Sequence, residues 1–425
     1  MSAGSLFAHS AVRSLAVLCI ALLAACGTSD NATAPVTSTE APEVLAADTS
    51  AHARELATSS IIVDTHIDVP YRINEEWVDV AEATEGGDFD YPRAVAGGLN
   101  APFMSIYTPA ELQEEGGAKE LAEKLIDMVN DIAASAPDKF AMAYSPLDIE
   151  KQFADGVISL PLGMENGAPI EDDLANVGHF YDRGIRYITL AHSLSNLISD
   201  SSYDDDKKWG GLSEFGVAVV GEMNRLGIMV DVSHISDEAF WDVMEVTKAP
   251  AIASHSSARH FTPGWERNMA DDMIVRLAEN RGLVMINFGS AFLTKEAYDY
   301  SNARRDAFRE YAEQSGIDTE DEDARSKFAE QYEAEHGPFP FATLEQTLDH
   351  FDRVVELTSV DHVGIGSDYD GVGDSLPTGL KDVSSYPNLV EGLVRRGYSN
   401  EEIRKILGEN LLRVWREVEE VARAM

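Results

Sequence analysis

Apolar and polar residues alternate along the chain in short runs, and between those runs apolar residues recur every three or four positions. Residues 61–69 alternate β-branched and polar side chains as a strand does, so His66 and Asp68, two apart, project from one face. Runs at 103–109, 157–167, 186–192, 228–234, 250–256, 283–289 and 362–371 predict seven further strands. Between them lie helical patterns. Residues 118–133 put Leu121, Leu125, Met128 and Ile132 on one face, and similar stretches fall at 172–183, 214–226, 237–247, 270–280 and 341–360, with 389–396 and 400–424 closing the chain. Residues 74–94 carry no clear period and read as a loop over the carboxyl end of the first strand. Residues 294–335 break the rhythm with a long charged stretch, read as a helical insertion on the surface. Eight strands alternating with helices predict an α/β fold, a closed parallel (β/α)8 TIM-like barrel with its chemistry at the strands' carboxyl ends.

Those ends carry polar groups. His66 and Asp68 end the first run, Glu165 the third, His192 the fourth, His234 the fifth, His255 the sixth and Asp368 the last. Any one has a bland explanation: a core histidine bonded to an aspartate, a solvated loop acid, a turn aspartate. So many in one kind of place are hard to explain as core packing. Asp370, on the same face of its run, is the nearest competitor to Asp368. His179, His260, His336, His350 and His362 fall outside the set and read as structural or surface residues.

A net charge of -41 repels a phosphate backbone and excludes nucleic acid as a partner. Arg13 precedes an apolar run at 15–23, too short to span a bilayer. The Leu23-Ala24-Ala25-Cys26-Gly27 stretch looks like a bacterial lipoprotein signal, with cleavage after residue 25 leaving Cys26 to carry a lipid on the periplasmic side of a membrane. Residues 26–50 are rich in Ala, Thr, Ser and Pro and read as a flexible tether, which leaves 51–425 as the folded domain. The only other cysteine is Cys19, so that domain has no disulfide or thiolate, and any metal must be held by nitrogen and oxygen.

His66, Asp68, Glu165, His234 and His255 supply three imidazoles and two carboxylates, a set suited to zinc. Five ligands exceed what one tetrahedral catalytic zinc needs, and two metals sharing a carboxylate would use them all. Two such ions, about 3.5–4 Å apart, can hold a bridging hydroxide and polarise a carbonyl.

Six ordered stretches carry a family resemblance: Asp64-Thr65-His66-Ile67-Asp68, Gly163-Met164-Glu165-Asn166-Gly167, Leu190-Ala191-His192-Ser193, Val230-Asp231-Val232-Ser233-His234, Ser254-His255-Ser256-Ser257-Ala258-Arg259 and Gly366-Ser367-Asp368-Tyr369-Asp370-Gly371. Together they resemble the membrane (renal) dipeptidase family from about residue 61 to the carboxyl terminus. The resemblance implies a barrel of the metal-dependent amidohydrolase type with two zinc ions (Zn2+), hydrolysing dipeptides. His66 and Asp68 would bind one ion, His234 and His255 the other, and Glu165 would bridge. It further implies that His192 steadies the substrate carbonyl, that Arg267 holds the substrate carboxylate, and that Asp368 carries a proton from water to the leaving amine.

Two departures bear on substrate preference. Gly289 stands where the mammalian enzymes have a tyrosine, and the 294–335 insertion is absent from them. Two other functions remain open: a related amidohydrolase acting on an N-acyl amino acid or lactam, and a lipid-anchored protein that binds peptides without cutting them. The sequence also leaves a homodimer open.

Overall fold

The computed structural model describes residues 42–319 and 321–425. The signal stretch at 1–25, Cys26 and the first part of the tether lie outside them. The first element is a helix, Pro42–Ser59, so residues 42–50, read as tether, are helical instead. Alanine-rich composition favours the helix, and Ala53, Leu56 and Ala57 bury into the main apolar core.

The strands are β1 (Ile62–Ile67), β2 (Leu99–Tyr107), β3 (Phe140–Met142), β4 (Ile158–Leu160), β5 (Leu162–Glu165), β6 (Ile185–Thr189), β7 (Met229–Asp231), β8 (Ala251–Ala253), β9 (Leu283–Ile286) and β10 (Val363–Ile365). Eight of them form a closed parallel barrel in the order β1-β2-β5-β6-β7-β8-β9-β10, with β10 back against β1. This is the TIM-like barrel expected from the alternation.

The expected third strand, 157–167, is two. Pro161 has no amide donor and interrupts the ladder between β4 and β5; its carbonyl accepts from Met104 N at 2.9 Å. The first half, β4, pairs with β3 in a separate two-stranded sheet, and only β5 enters the barrel. Likewise the segment read as a loop at 74–94 is entered and left by helices, Val69–Glu75 and Tyr91–Gly97. Asp90 caps the second by accepting from Arg93 N at 2.8 Å.

Residues 294–335 form two helices, Lys295–Ser315 and Glu322–His336, whose aromatic rings meet where Phe328 lies 5.4 Å from Phe308 and 5.2 Å from Tyr311. The closing pattern at 400–424 is helical throughout but contains a π-helical turn, Lys405–Glu409. Beyond it, helix Asn410–Ala424 sends Leu411, Leu412, Val414, Trp415 and Val418 into one buried cluster with Val63, Phe103, Tyr187, Met229, Ile252 and Met285 of the barrel strands. Burial of each large apolar side chain contributes about 1.5–3 kcal/mol, which gives the barrel a packed floor. Its polar groups gather at the other end.

Candidate active site

Glu165, the last residue of β5, is the hub. Its Oε1 lies 3.2 Å from His234 Nε2, 3.3 Å from His255 Nε2 and 3.5 Å from His192 Nε2, while its Oε2 lies 3.3 Å from His66 Nε2. His66 Nε2 is also 3.5 Å from Asp68 Oδ2. Asp368 joins the same cluster, since one ligand atom each from His66, Asp68 and Asp368 lie within 4.8 Å of one another. All five residues expected to bind metal therefore converge, with His192 and Asp368 beside them. The backbone at these strand ends is unusual: His234 and Asp368 sit at φ 70° and 65°. A non-glycine residue in that region costs about 1–3 kcal/mol, and such strain gathers at functional sites.

Two of the four rings, His66 and His255, are aimed by a second contact. His66 Nδ1 is 2.8 Å from the Tyr187 hydroxyl, and the Tyr187 ring fits only because Gly163 has no side chain; a Cβ there would meet the ring at 2.0 Å. His255 Nδ1 is 2.7 Å from Ser254 Oγ, which donates to Asp231 Oδ2 at 2.6 Å. Asp231 also accepts from Ser233 N at 3.0 Å and Ser254 N at 2.8 Å, so a buried carboxylate braces the loops that carry both His234 and His255. Asp64 does the same for β1 and β10, accepting from His66 N at 3.1 Å, Ser367 N at 2.9 Å and the Tyr386 hydroxyl. Partners of this kind fix the tautomer and direction of a metal-binding ring.

Burial and charge set the protonation of the cluster. Burial pushes His234 and His255 well below the usual imidazole range, aided by Arg267 and, at His255, by His66. Their Nε2 atoms lie 2.7 Å apart. Burial would raise Glu165, but His66 and His192 and the contacts from His234 and His255 hold it well below the carboxylate range. At His66 burial is outweighed by Tyr187, Glu165 and Asp68, which favour a positive charge there. Nε2 of His66 and Oδ1 of Asp68 are buried without a hydrogen-bond partner. Imidazole nitrogens and carboxylate oxygens gathered round one buried point fit a divalent cation that would take the place of the proton on His66, and a nitrogen–oxygen set without sulfur fits zinc.

Arg267 is buried at the rim, donating from Nη1 to Ser256 Oγ at 2.6 Å and from Nη2 to the His255 carbonyl at 2.8 Å. Asp368 accepts from Asn287 Nδ2 at 2.7 Å, and burial and the nearby Asp68 push its carboxyl up to about 7. Asp370 is turned away: it pairs with Arg72 at 3.0 Å and accepts from Asp88 N at 2.6 Å. Among the outlying histidines, His350 is a buried strut between Ala258 N and the Leu293 carbonyl, and His179 pairs with Glu123. Tyr187, Asp231, Ser254, Asp64 and Asn287 went unassigned from sequence; the one available signal was an acid inside an apolar strand at 64 and at 231.

Residues 50–425 match the model of the membrane dipeptidase family, peptidase family M19. The chain is similar to dipeptidase tcpJ of Claviceps purpurea (strain 20.1), 33% identical over 343 residues, which span 79% of this chain and 70% of that protein. Among solved structures it is similar to the probable dipeptidase PvdM of Pseudomonas aeruginosa, with TM-score 0.75 and 25% identity over 88% of this chain and 100% of that one. It is also similar to the metallopeptidase named dipeptidase AC, of family M19, with TM-score 0.69 and 25% identity over 85% of this chain and 99% of that one.

Proposed function

Because the chain belongs to the membrane dipeptidase family, peptidase family M19, we propose that it is a zinc-dependent enzyme with two ions per subunit that hydrolyses the peptide bond of dipeptides. The observation that carries this reading is one buried carboxylate, Glu165, within 3.5 Å of four imidazole Nε2 atoms. His66 and Asp68 would hold one ion and His234 and His255 the other, with Glu165 shared. When bound, such ions acidify water towards neutrality and polarise a carbonyl.

The chain's own groups do the rest. Arg267 receives the substrate carboxylate, for which a guanidinium fork is suited. His192, mostly buried beside His234 at a ring separation of 4.3 Å, steadies the carbonyl oxygen as negative charge develops on it. Water oxygen adds to the carbonyl carbon and its proton passes to Asp368. The carbon–nitrogen bond then breaks as Asp368 delivers that proton to the leaving amine. Cations held beside Asp368 would favour its ionised form, the one that accepts the proton.

A panel of dipeptides and N-acylated amino acids, assayed with zinc-loaded protein, tests the reading. Dipeptides are turned over, activity vanishes on prolonged chelation and zinc restores it. Turnover of acylated amino acids alone would favour the related amidohydrolase, and two equivalents of zinc would count against a receptor that only captures peptides. We further propose, from the Leu-Ala-Ala-Cys stretch, that Cys26 carries a lipid on the periplasmic side of a membrane. Cys26→Ser should release soluble protein; an unaltered protein that is soluble and lipid-free by mass spectrometry would overturn this.

A further inference from the structure

We infer that Phe292 is a positioning residue for Arg267, and through it sets how tightly the site holds a substrate's free carboxylate. This rests on the dipeptidase reading and adds a determinant from outside the metal cluster. Arg267 has two of its nitrogens engaged with Ser256 and the His255 carbonyl, while its Nε is buried without a partner. Nothing on those edges stops the guanidinium plane from tilting about them. Its Cζ lies over the Phe292 ring, 5.1 Å from the centroid, and a cation over an aromatic face is attracted by the ring quadrupole.

That ring is itself held in place. It lies 4.8 Å from the Trp265 ring, which lies 4.6 Å from Tyr298 on the insertion helix Lys295–Ser315. The short helix Ser290–Leu293 is pinned on three sides: Asn268 Nδ2 donates to the Phe292 carbonyl at 2.8 Å, His350 Nε2 to the Leu293 carbonyl at 3.0 Å, and Ala342 N to Ser290 Oγ at 2.9 Å. Gly289 makes the arrangement sterically feasible, because a Cβ there would come within 2.9 Å of both Phe292 Cδ2 and Val372 Cγ1. The insertion thus reaches the carboxylate end of the site through three rings in contact, without supplying a group that touches the reacting atoms.

The test is the ratio of behaviour towards a dipeptide and its carboxyl-terminal amide, measured on the metal-loaded enzyme. For the free dipeptide, Phe292→Leu should raise KM roughly two- to thirtyfold, the range of a cation–π contact, with kcat within a factor of two. The amide, which has no carboxylate for Arg267, should shift far less, and Phe292→Tyr should restore the unaltered ratio. Calorimetric binding of a phosphinate dipeptide mimic, with its carboxylate free or amidated, should give the same ratio without turnover. An equal change for acid and amide, or none for the acid, overturns the inference. If the unaltered enzyme cuts no dipeptide, the proposed function fails, and the calorimetric ratio still decides the role of Phe292. Should Phe292→Leu not fold, Trp265→Leu removes support one ring further out; a smaller shift in the same ratio upholds the inference and an unchanged ratio overturns it.

Discussion

Tyr187→Phe removes one oxygen from the centre of the barrel and should cost metal affinity without disturbing the fold. With a metal at its Nε2, as proposed, His66 would carry its ring proton on Nδ1 and donate it to the Tyr187 hydroxyl, 2.8 Å away. Both side chains are fully buried, so no water replaces the lost acceptor, and a buried unsatisfied donor costs about 1–3 kcal/mol. The protein can escape that cost by moving the proton to Nε2, which removes the ligand lone pair, or by turning the ring, which misdirects it. Either way the metal-bound form is the one penalised. Loss of such a supporting partner typically lowers metal affinity about 10- to 100-fold, or about 1.4–2.7 kcal/mol. Competition against a chromophoric chelator reads this directly, and thermal unfolding of the metal-free protein provides the control. The Tm should fall more for the loaded protein than for the metal-free one. Gly163→Ala should act in the same direction, because its Cβ would lie 2.0 Å from the Tyr187 ring. Unchanged metal affinity in Tyr187→Phe would refute the claim that this hydroxyl directs His66.

Asp368→Asn keeps the shape of the side chain but cannot accept a proton; turnover should drop roughly 100- to 10,000-fold with metal content unchanged, and near-normal turnover would move the proton transfer to another group. Gly371→Ala should displace two carboxylates at once, since its Cβ would lie 2.2 Å from Asp68 Oδ2 and 2.3 Å from Asp368 Oδ1; misplacement on the order of 1 Å can cost about a hundredfold in rate, and a fully active variant would show that the loop yields freely. His350, lowered to about 4 by burial, stays neutral in the folded protein while the unfolded chain takes up a proton below its ordinary value of 6.5. Its contribution is therefore whole above 6.5 and lost as pH falls towards 4, by about 3 kcal/mol. Urea unfolding at pH 7 and pH 4.5 should show a shallower acid loss in His350→Gln than in the unaltered protein, and parallel losses would remove His350 from the account.

The barrel and the cluster were legible in the sequence for the same reason: a barrel strand with an apolar body and a polar last residue delivers that residue to one rim, whatever the loops do. His66, Glu165, His234 and His255 could be named from position alone because each ends such a run. The supports could not. Tyr187 lies 121 residues from His66 and Ser233 is 22 from His255, and those pairings exist only once the barrel has closed, with β1 and β6 facing its interior and β7 beside β8. Short elements escaped for a different reason. β3 and β4 have three residues each, too few for a period to register, and Pro161 conceals a sheet boundary inside one apolar run. Asp368 and Asp370 show where the alternation rule itself stops. Two apart, they should share a face, yet both sit at positive φ, 65° and 66°, so the backbone has left the extended conformation on which a two-residue period depends. The chain consequently turns one carboxylate into the cluster and the other towards Arg72 and Asp88. An acid on that outer path is held by a guanidinium and a backbone amide, and neither contact gives it a route to a substrate. Asp368→Asn and Asp370→Asn should therefore separate cleanly, the first in turnover and the second in the stability of the 84–90 segment that Asp370 anchors.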